Sequence, residues 1–159
     1  MDFTTLLQAF SAERRLYRLE APETPALAAL MVEAWAERET LNAPWSLEVI
    51  ALGQDASLDL SACIGQPLSL MTRLADGSEQ KRNALLLGAD FEEADGGLCR
   101  YRLQLGSWLS LLDRGQHAQV WQARPLTELI DSLLAQYSPH AQWRWADCVS
   151  EHLARSPWS

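Results

Sequence analysis

The stretch of sequence that decides the fold covers residues 67–106 and reads PLSLMTRLADGSEQKRNALLLGADFEEADGGLCRYRLQLG. Apolar and polar side chains alternate along its first and last parts, which is the period of a β-strand with one buried face. Two turns, Ala75–Ser78 and Ala94–Gly97, each contain an Asp-Gly pair, and glycine tolerates the positive φ angles of tight hairpins. The stretch therefore predicts three antiparallel strands: Leu68–Leu74, Glu79–Phe91 and Cys99–Leu105.

Upstream of this stretch, Trp45–Leu52 alternates in the same way and predicts a further strand. A change of period at Arg14–Glu20 predicts a short strand, and the proline-containing segment Ala21–Pro25 breaks the pattern. Residues Ala26–Arg38 fit both a helical stripe and an alternating strand, although the abundance of Ala, Leu and Glu favours the helix. The residues alone leave this conflict open. Near the N-terminus, Asp2–Phe10 has the spacing of a short amphipathic helix.

Downstream, the compact apolar segment Trp108–Leu112 predicts one or two turns of helix, and His117–Gln122 predicts a short strand. Pro125–Tyr137 predicts a longer helix, because its apolar residues fall on one stripe and proline suits the first helical turn. The tail Ser138–Ser159 is rich in Trp and polar residues and has no clean period.

The composition limits the classes of protein to which the chain can belong. Its 159 residues are 48% hydrophobic and 21% charged, which is enough to bury the core of a domain. The net charge is −8 and the basic residues are scattered, which argues against a nucleic-acid partner. The apolar runs are too short to cross a bilayer, and we expect no secretion signal after Met1.

Patterns of catalytic, cofactor or metal sites are not found. The sequence has no Gly-x-Ser-x-Gly nucleophile elbow and no glycine-rich phosphate loop. The histidines are isolated, and the cysteines are too widely spaced for a zinc pattern or a disulfide framework, which favours reduced, buried, unreactive thiols. The acidic residues before the second hairpin turn are interpreted as a solvated turn rather than a cation site. The residues considered are His117, His140, His152, Cys63, Cys99, Cys148, Glu92, Glu93 and Asp95.

Trp143 and Trp145 raise a separate question, because aromatic rings can stack on a sugar or a base. Their spacing of two residues favours a strand face packed on a neighbour. We therefore expect no catalytic, cofactor-binding or metal-binding residues, no cofactor, and no enzymatic activity. A small barrel that binds an oligosaccharide or another ligand through Trp143 and Trp145 is the alternative function.

Several segments, taken in their order and spacing, resemble the N-terminal part of the VgrG family. These are the spike-tip proteins of type VI secretion systems, which are similar to phage tail-hub proteins. The segment at residues 38–49 resembles the family's Arg-Glu-x-Leu-Ser-x-Pro-Phe-x-x-x-Val motif, with Asn42 in place of Ser. The segments that carry the resemblance are RLYRLE (15–20), RETLNAPWSLEV (38–49), LDLSACIGQP (58–67), ADGS (75–78), GGLCRYRLQL (96–105), WLSLL (108–112) and VWQ (120–122).

The resemblance implies a mainly β fold of the α+β class, a bent antiparallel β-barrel of the phage tail-hub or baseplate type with flanking helices. It also resolves the conflict at Ala26–Arg38, because the equivalent of Leu30–Trp35 in that family is a strand, paired with the strand at Leu16. Residues 1–123 would form the N-terminal hub-like barrel. Residues 124–159 would begin a following helical or second-barrel segment that is truncated here.

The same resemblance implies a structural function. Such a chain would form the base of the secretion spike, trimerise, and adapt a hexameric secreted tube to the trimeric spike that delivers effectors. The implied partners are further copies of the chain, the tube protein, and effectors or adaptors, with no nucleic acid and no membrane insertion. The protein would be cytoplasmic before firing and then exported by the apparatus, and the short chain would trimerise poorly by itself.

Overall fold

The computed structural model describes residues 15–115, 120 and 124–146. The chain divides into two compact units, Met1–Ser107 and Trp108–Ser159. The first unit has two single-turn helices, α1 (Pro25–Ala28) and α2 (Leu60–Cys63). Its strands are β1 (Tyr17–Glu20), β2 (Met31–Thr40), β3 (Ala43–Gly53), β4 (Pro67–Arg73), β5 (Glu79–Asp95) and β6 (Leu98–Gly106).

The six strands form one antiparallel sheet in the order β1-β4-β5-β6-β3-β2. Residues 67–106 supply β4, β5 and β6, as predicted, and the first hairpin turn contains Gly77 at φ 83°. A side chain at such a φ would be strained, so the Asp-Gly pair specifies this turn. The second hairpin turn places Gly96 and Gly97 at φ 57° and 81°.

The strand β5 explains why the sheet curls. Its first half pairs with β4 and its second half with β6, so it links the two parts of the sheet. The register between β5 and β6 shifts between Leu86 and Gly88 and again between Phe91 and Glu93. Such bulges bend a strand and increase its twist. The sheet is therefore a curled half-barrel, and the predicted mainly β fold is confirmed.

The ambiguous segment Ala26–Arg38 contains both kinds of structure. A single helical turn, α1, precedes the long strand β2, so the strand predicted at Leu30–Trp35 is confirmed. Its predicted pairing with the strand at Leu16 is wrong. The strand β2 pairs with β3, whereas β1 pairs with β4 in the register Tyr17↔Thr72 to Glu20↔Ser69. A short turn joins β2 to β3, so their pairing closes only a small loop and costs little entropy.

The core lies on one face of the curled sheet. Cross-strand partners such as Leu47, Leu105 and Leu86 lie side by side there, and Leu27 from α1 covers one end of the buried cluster. Leucine supplies most of this core in place of Val and Ile, since packing rather than β-propensity decides the strands. The largest fully buried side chains are Tyr101, Leu27, Leu47, Leu68, Leu70, Leu86, Leu103, Leu105 and Val49.

The second unit contains the helix predicted over Pro125–Tyr137. It appears as α3 (Leu126–Leu134), with Pro125 at the N-cap, and continues into a 3₁₀ helix at Ala135–Tyr137. The helical turns predicted at Trp108–Leu112 appear as a 3₁₀ helix over Trp108–Arg114. No helix in the described ranges has both the length and the apolar character needed to span a bilayer.

Three predictions about the chain ends have different outcomes. The strand face proposed for Trp143 and Trp145 is wrong, because residues 141–146 have no regular secondary structure. The helix at Asp2–Phe10 lies outside the described residues, as does the strand at His117–Gln122 apart from the exposed Val120.

Candidate functional site

The free edge of the sheet is the first candidate surface. The edges β1 and β2 each pair with a single strand within the described residues, and β2 is the longer, with 10 residues against 4. Unpaired N–H and C=O groups on such an edge can accept a strand from another chain. Residues 36–43 at the end of the β2–β3 hairpin are exposed, and Leu41 at its tip is fully exposed. This hairpin therefore presents an open backbone edge and an apolar tip.

The two edges approach each other through side chains. We call Tyr17, Trp35, Glu37 and Arg82 the seam. The Trp35 and Tyr17 rings meet edge to face, with 5.7 Å between their centroids. The Arg82 guanidinium lies 5.2 Å from the centroid of the Trp35 ring, and its Nε lies 3.2 Å from the Glu37 Oε2 atom. The seam thus joins β1 and β5 to β2 by ring and charge contacts, because no backbone ladder joins β1 to β2.

The outer face of the sheet carries an ion-pair network across four strands. Arg100 lies 3.0 Å from Glu33 and 3.5 Å from both Glu92 and Glu93. Arg102 pairs with Glu92 and lies 3.4 Å from Glu48. Of the acidic residues before the second turn, Glu92 and Glu93 are thus paired with arginines. Among the described residues, no group of His, Cys, Asp and Glu side chains has the arrangement of a metal site.

A second ion-pair network links β1 to β5. Arg18 lies 2.5 Å from Glu20 and 2.7 Å from Glu79, and the Lys81 ammonium lies 3.1 Å from Glu20. The hydrogen bond from Arg18, and then that from Lys81, lowers the pKa of the Glu20 carboxyl below its ordinary value. The short edge strand is therefore anchored by charges as well as by its backbone ladder.

A cavity of about 440 Å³ opens where α1 meets the ends of β2 and β3. Most of its wall is apolar, and Arg15 and Asp55 supply the charges. The Tyr101 hydroxyl donates to the Asp55 carbonyl, which fixes the loop on one side of the cavity. Burial raises the pKa of the Tyr101 hydroxyl, so it remains a donor at neutral pH. Residues that line the cavity include Ala29, Leu30, Met31, Leu52, Gln54 and Leu58.

The histidines and cysteines singled out from the sequence are described only in part. Cys63 and Cys99 are buried, free thiols, as predicted. Burial raises the pKa of the Cys63 thiol, and the nearby Asp59 carboxylate raises it further, which leaves little reactive thiolate. His140 is half-buried in the second unit. His117, His152 and Cys148 lie outside the described residues.

Two clusters were missed by sequence reasoning. The seam joins Arg82 to Glu37, which lies 45 positions away in sequence, so no local pattern indicates it. The second cluster is in the second unit, where the Trp143 and Trp145 indoles both donate to the carboxylate of Asp131, at 2.7 and 2.8 Å. The apolar stripe of α3 gave the position of the helix but no indication that Asp131 binds the tail.

Comparison with known proteins gives consistent results. The sequence profile of the phage tail baseplate hub (GPD) family matches residues 38–155. The type VI secretion system spike protein VgrG1c of Pseudomonas aeruginosa is 26% identical over 121 residues, which cover 76% of this chain and 16% of that protein. The spike protein VgrG1a of the same organism is 23% identical over 145 residues, covering 85% and 22%. The chain thus spans about a fifth of the length of these relatives.

A solved structure has the same fold. The E. coli c3393 protein, a component of the type VI secretion system with structural similarity to the T4 bacteriophage tail proteins gp27 and gp5, aligns with a TM-score of 0.64. The alignment covers 80% of this chain and 33% of that protein, at 16% sequence identity. At this identity the likeness establishes the fold alone.

Proposed function

Because this chain belongs to the phage tail baseplate hub family and has a VgrG-like hub region, we propose that it forms the hub-like base of a type VI secretion spike. The observation that carries the proposal is the curled six-stranded half-barrel with one long open edge, β2, and an exposed hairpin tip. Open edges invite aggregation unless a neighbour covers them, so an edge of this length suits a permanent assembly. The function is mechanical support, with no bond made or broken.

The proposed assembly is a trimer that matches a hexameric tube. If each full-length chain carries two barrels of this kind, three chains present six similar edges, which is the number a hexameric ring requires. Residues 1–123 supply the first barrel in this proposal, and residues 124–159 begin the segment that leads to the second. Most of the trimer contact would then lie outside the present chain, which should associate weakly when isolated.

The partners and the location follow from the same proposal. The chain contacts further copies of itself, the tube protein, and effectors or adaptors. It resides in the cytoplasm until the apparatus fires and is then exported with the spike. The curated relatives are named as spike proteins, which supports this placement.

The test compares the full-length spike protein with a hairpin variant. Leu41→Glu places a charge at the fully exposed hairpin tip, where the folded monomer loses no buried contact. Sedimentation should show a trimer for the full-length protein, and co-sedimentation with its cognate tube protein should weaken roughly tenfold in the variant, as for a central apolar contact. Leu74→Glu, at an exposed position before the first hairpin turn, is the matched control and should bind normally.

Two results would contradict the proposal. A full-length protein that remains monomeric and does not bind tube protein would exclude the hub role. A tight trimer of the isolated 159-residue chain would show that the trimer contacts lie within this region and not beyond it.

A further inference from the structure

Two indole rings converge on one carboxylate in the second unit. Asp131 lies on α3, and Trp143 and Trp145 lie in the irregular segment that follows it. Both Nε1 atoms donate to the same oxygen, Oδ1, at 2.7 and 2.8 Å. An indole N–H lies in the plane of its ring, so these bonds hold the N–H edges of both rings against Asp131. The two side chains are 39% and 38% exposed.

The charge of this cluster comes from the carboxylate of Asp131. Indoles are neutral donors, so the two hydrogen bonds fix the carboxylate without neutralising it. The cluster therefore combines two partly exposed indole rings with one negative charge at their N–H edges.

This combination selects the chemistry of a ligand. The face of an indole ring attracts a cation, and a carboxylate beside the ring strengthens that attraction. A compact, strongly hydrated ion loses too much hydration to benefit, whereas guanidinium and quaternary ammonium groups are weakly hydrated. An oligosaccharide can also stack on an indole face, but it carries no positive charge for the Asp131 carboxylate to attract.

We propose that Asp131, Trp143 and Trp145 form a binding site for a weakly hydrated organic cation, either a quaternary ammonium group or a guanidinium. The site lies within the second unit and does not depend on the hub role. The carboxylate holds the two rings in position and supplies the charge, and the ring faces supply the contact surface. Choline and N-acetyl-arginine amide represent the two sources of such a cation.

The test is a titration of the ¹⁵N-labelled chain, followed by NMR through the indole N–H signals of Trp143 and Trp145. The variants Trp143→Phe and Trp145→Phe assign these two signals. Choline or N-acetyl-arginine amide should shift both signals saturably in the millimolar range, and the comparison shows which source binds more tightly. The neutral isostere 3,3-dimethyl-1-butanol should bind at least roughly tenfold more weakly, since it lacks the charge that the ring faces attract. Sodium chloride at equal ionic strength should produce no saturable shift.

Asp131→Asn provides the matched variant. Asparagine keeps an oxygen that can accept from both indoles but removes the negative charge, so choline affinity should fall at least about fivefold. Glu128→Gln removes an exposed carboxylate from the same helix and should leave the affinity unchanged. If Asp131→Asn does not fold, the comparison of choline with its neutral isostere in the unaltered chain decides.

Three results would overturn the proposal. The first is equal affinity for choline and 3,3-dimethyl-1-butanol. The second is unchanged choline affinity in a folded Asp131→Asn variant, and the third is the absence of a saturable shift with either cation. An oligosaccharide that shifts both signals at lower concentration than choline would replace the cation site with a sugar site.

Discussion

The central hairpins β4–β5–β6 and the seam between β1 and β2 are stabilised in different ways. The hairpins are joined by tight turns, paired by continuous backbone ladders, and packed on buried leucines. The seam has no backbone ladder between its two edge strands and depends on Tyr17, Trp35, Glu37 and Arg82. Local pairing therefore builds the sheet, and long-range side-chain contacts link its two edges.

The largest loss of stability is expected from a substitution in the core of the central hairpins. Leu103 on β6 is fully buried and pairs with Val49 on one side and Ala89 on the other. Leu103→Ala leaves a cavity that neighbouring strands cannot fill, so the free energy of unfolding should fall by about 2–5 kcal/mol. Urea denaturation measures the change.

The control for this substitution is Leu16→Ala. Leu16 lies just before the edge strand β1 and is 54% exposed, so its truncation should change stability by less than about 0.5 kcal/mol. Equal losses in the two variants would show that the hairpins do not form the core of the first unit.

A smaller effect is expected at the seam. Arg82→Gln removes the cation over Trp35 and the ion pair with Glu37, both partly exposed, and should destabilise the chain by about 1 kcal/mol. A double-mutant cycle with Trp35→Leu should show a coupling of about 0.5–1 kcal/mol. Arg38→Gln, on the exposed end of β2, should be nearly neutral. Zero coupling between Arg82 and Trp35 would mean that their contact does not hold the seam together.

The central hairpins can be predicted from the sequence better than the seam, because their contacts are local and those of the seam are long-range. The strands of residues 67–106 are predicted by the alternation of apolar and polar side chains and by two Asp-Gly pairs. These signals act within a few residues of the chain. The strand β2 could pair with either β1 or β3. The family resemblance predicted β1, which is wrong, and the short turn between β2 and β3 explains why β2 pairs with β3. The contact of Arg82 with Glu37 spans 45 residues, and that of Asp131 with Trp143 spans 12, so no local period reveals either.

The smallest effect on stability is expected from a change of pH, which acts on Glu20 in the edge strand β1. The pKa of Glu20 is lowered in the folded chain by Arg18 and Lys81. The contribution of Glu20 to the free energy of unfolding is therefore complete above the ordinary glutamate pKa of roughly 4.3. It is lost as the pH falls through the lower pKa that Glu20 has in the folded chain. Glu20→Gln should flatten this part of the stability–pH curve, measured by thermal unfolding. An unchanged slope would show that these surface ion pairs do not stabilise β1.

The most direct test of the open edge is hydrogen exchange of the isolated chain, read residue by residue. β6 lies between two paired strands, so its amides should exchange only through global unfolding. The amides of β2 that face away from β3 should exchange far faster, since the structure gives them no partner strand. If all the amides of β2 exchange as slowly as those of β6, the edge is covered. That result would contradict the account of a half-barrel with an open edge.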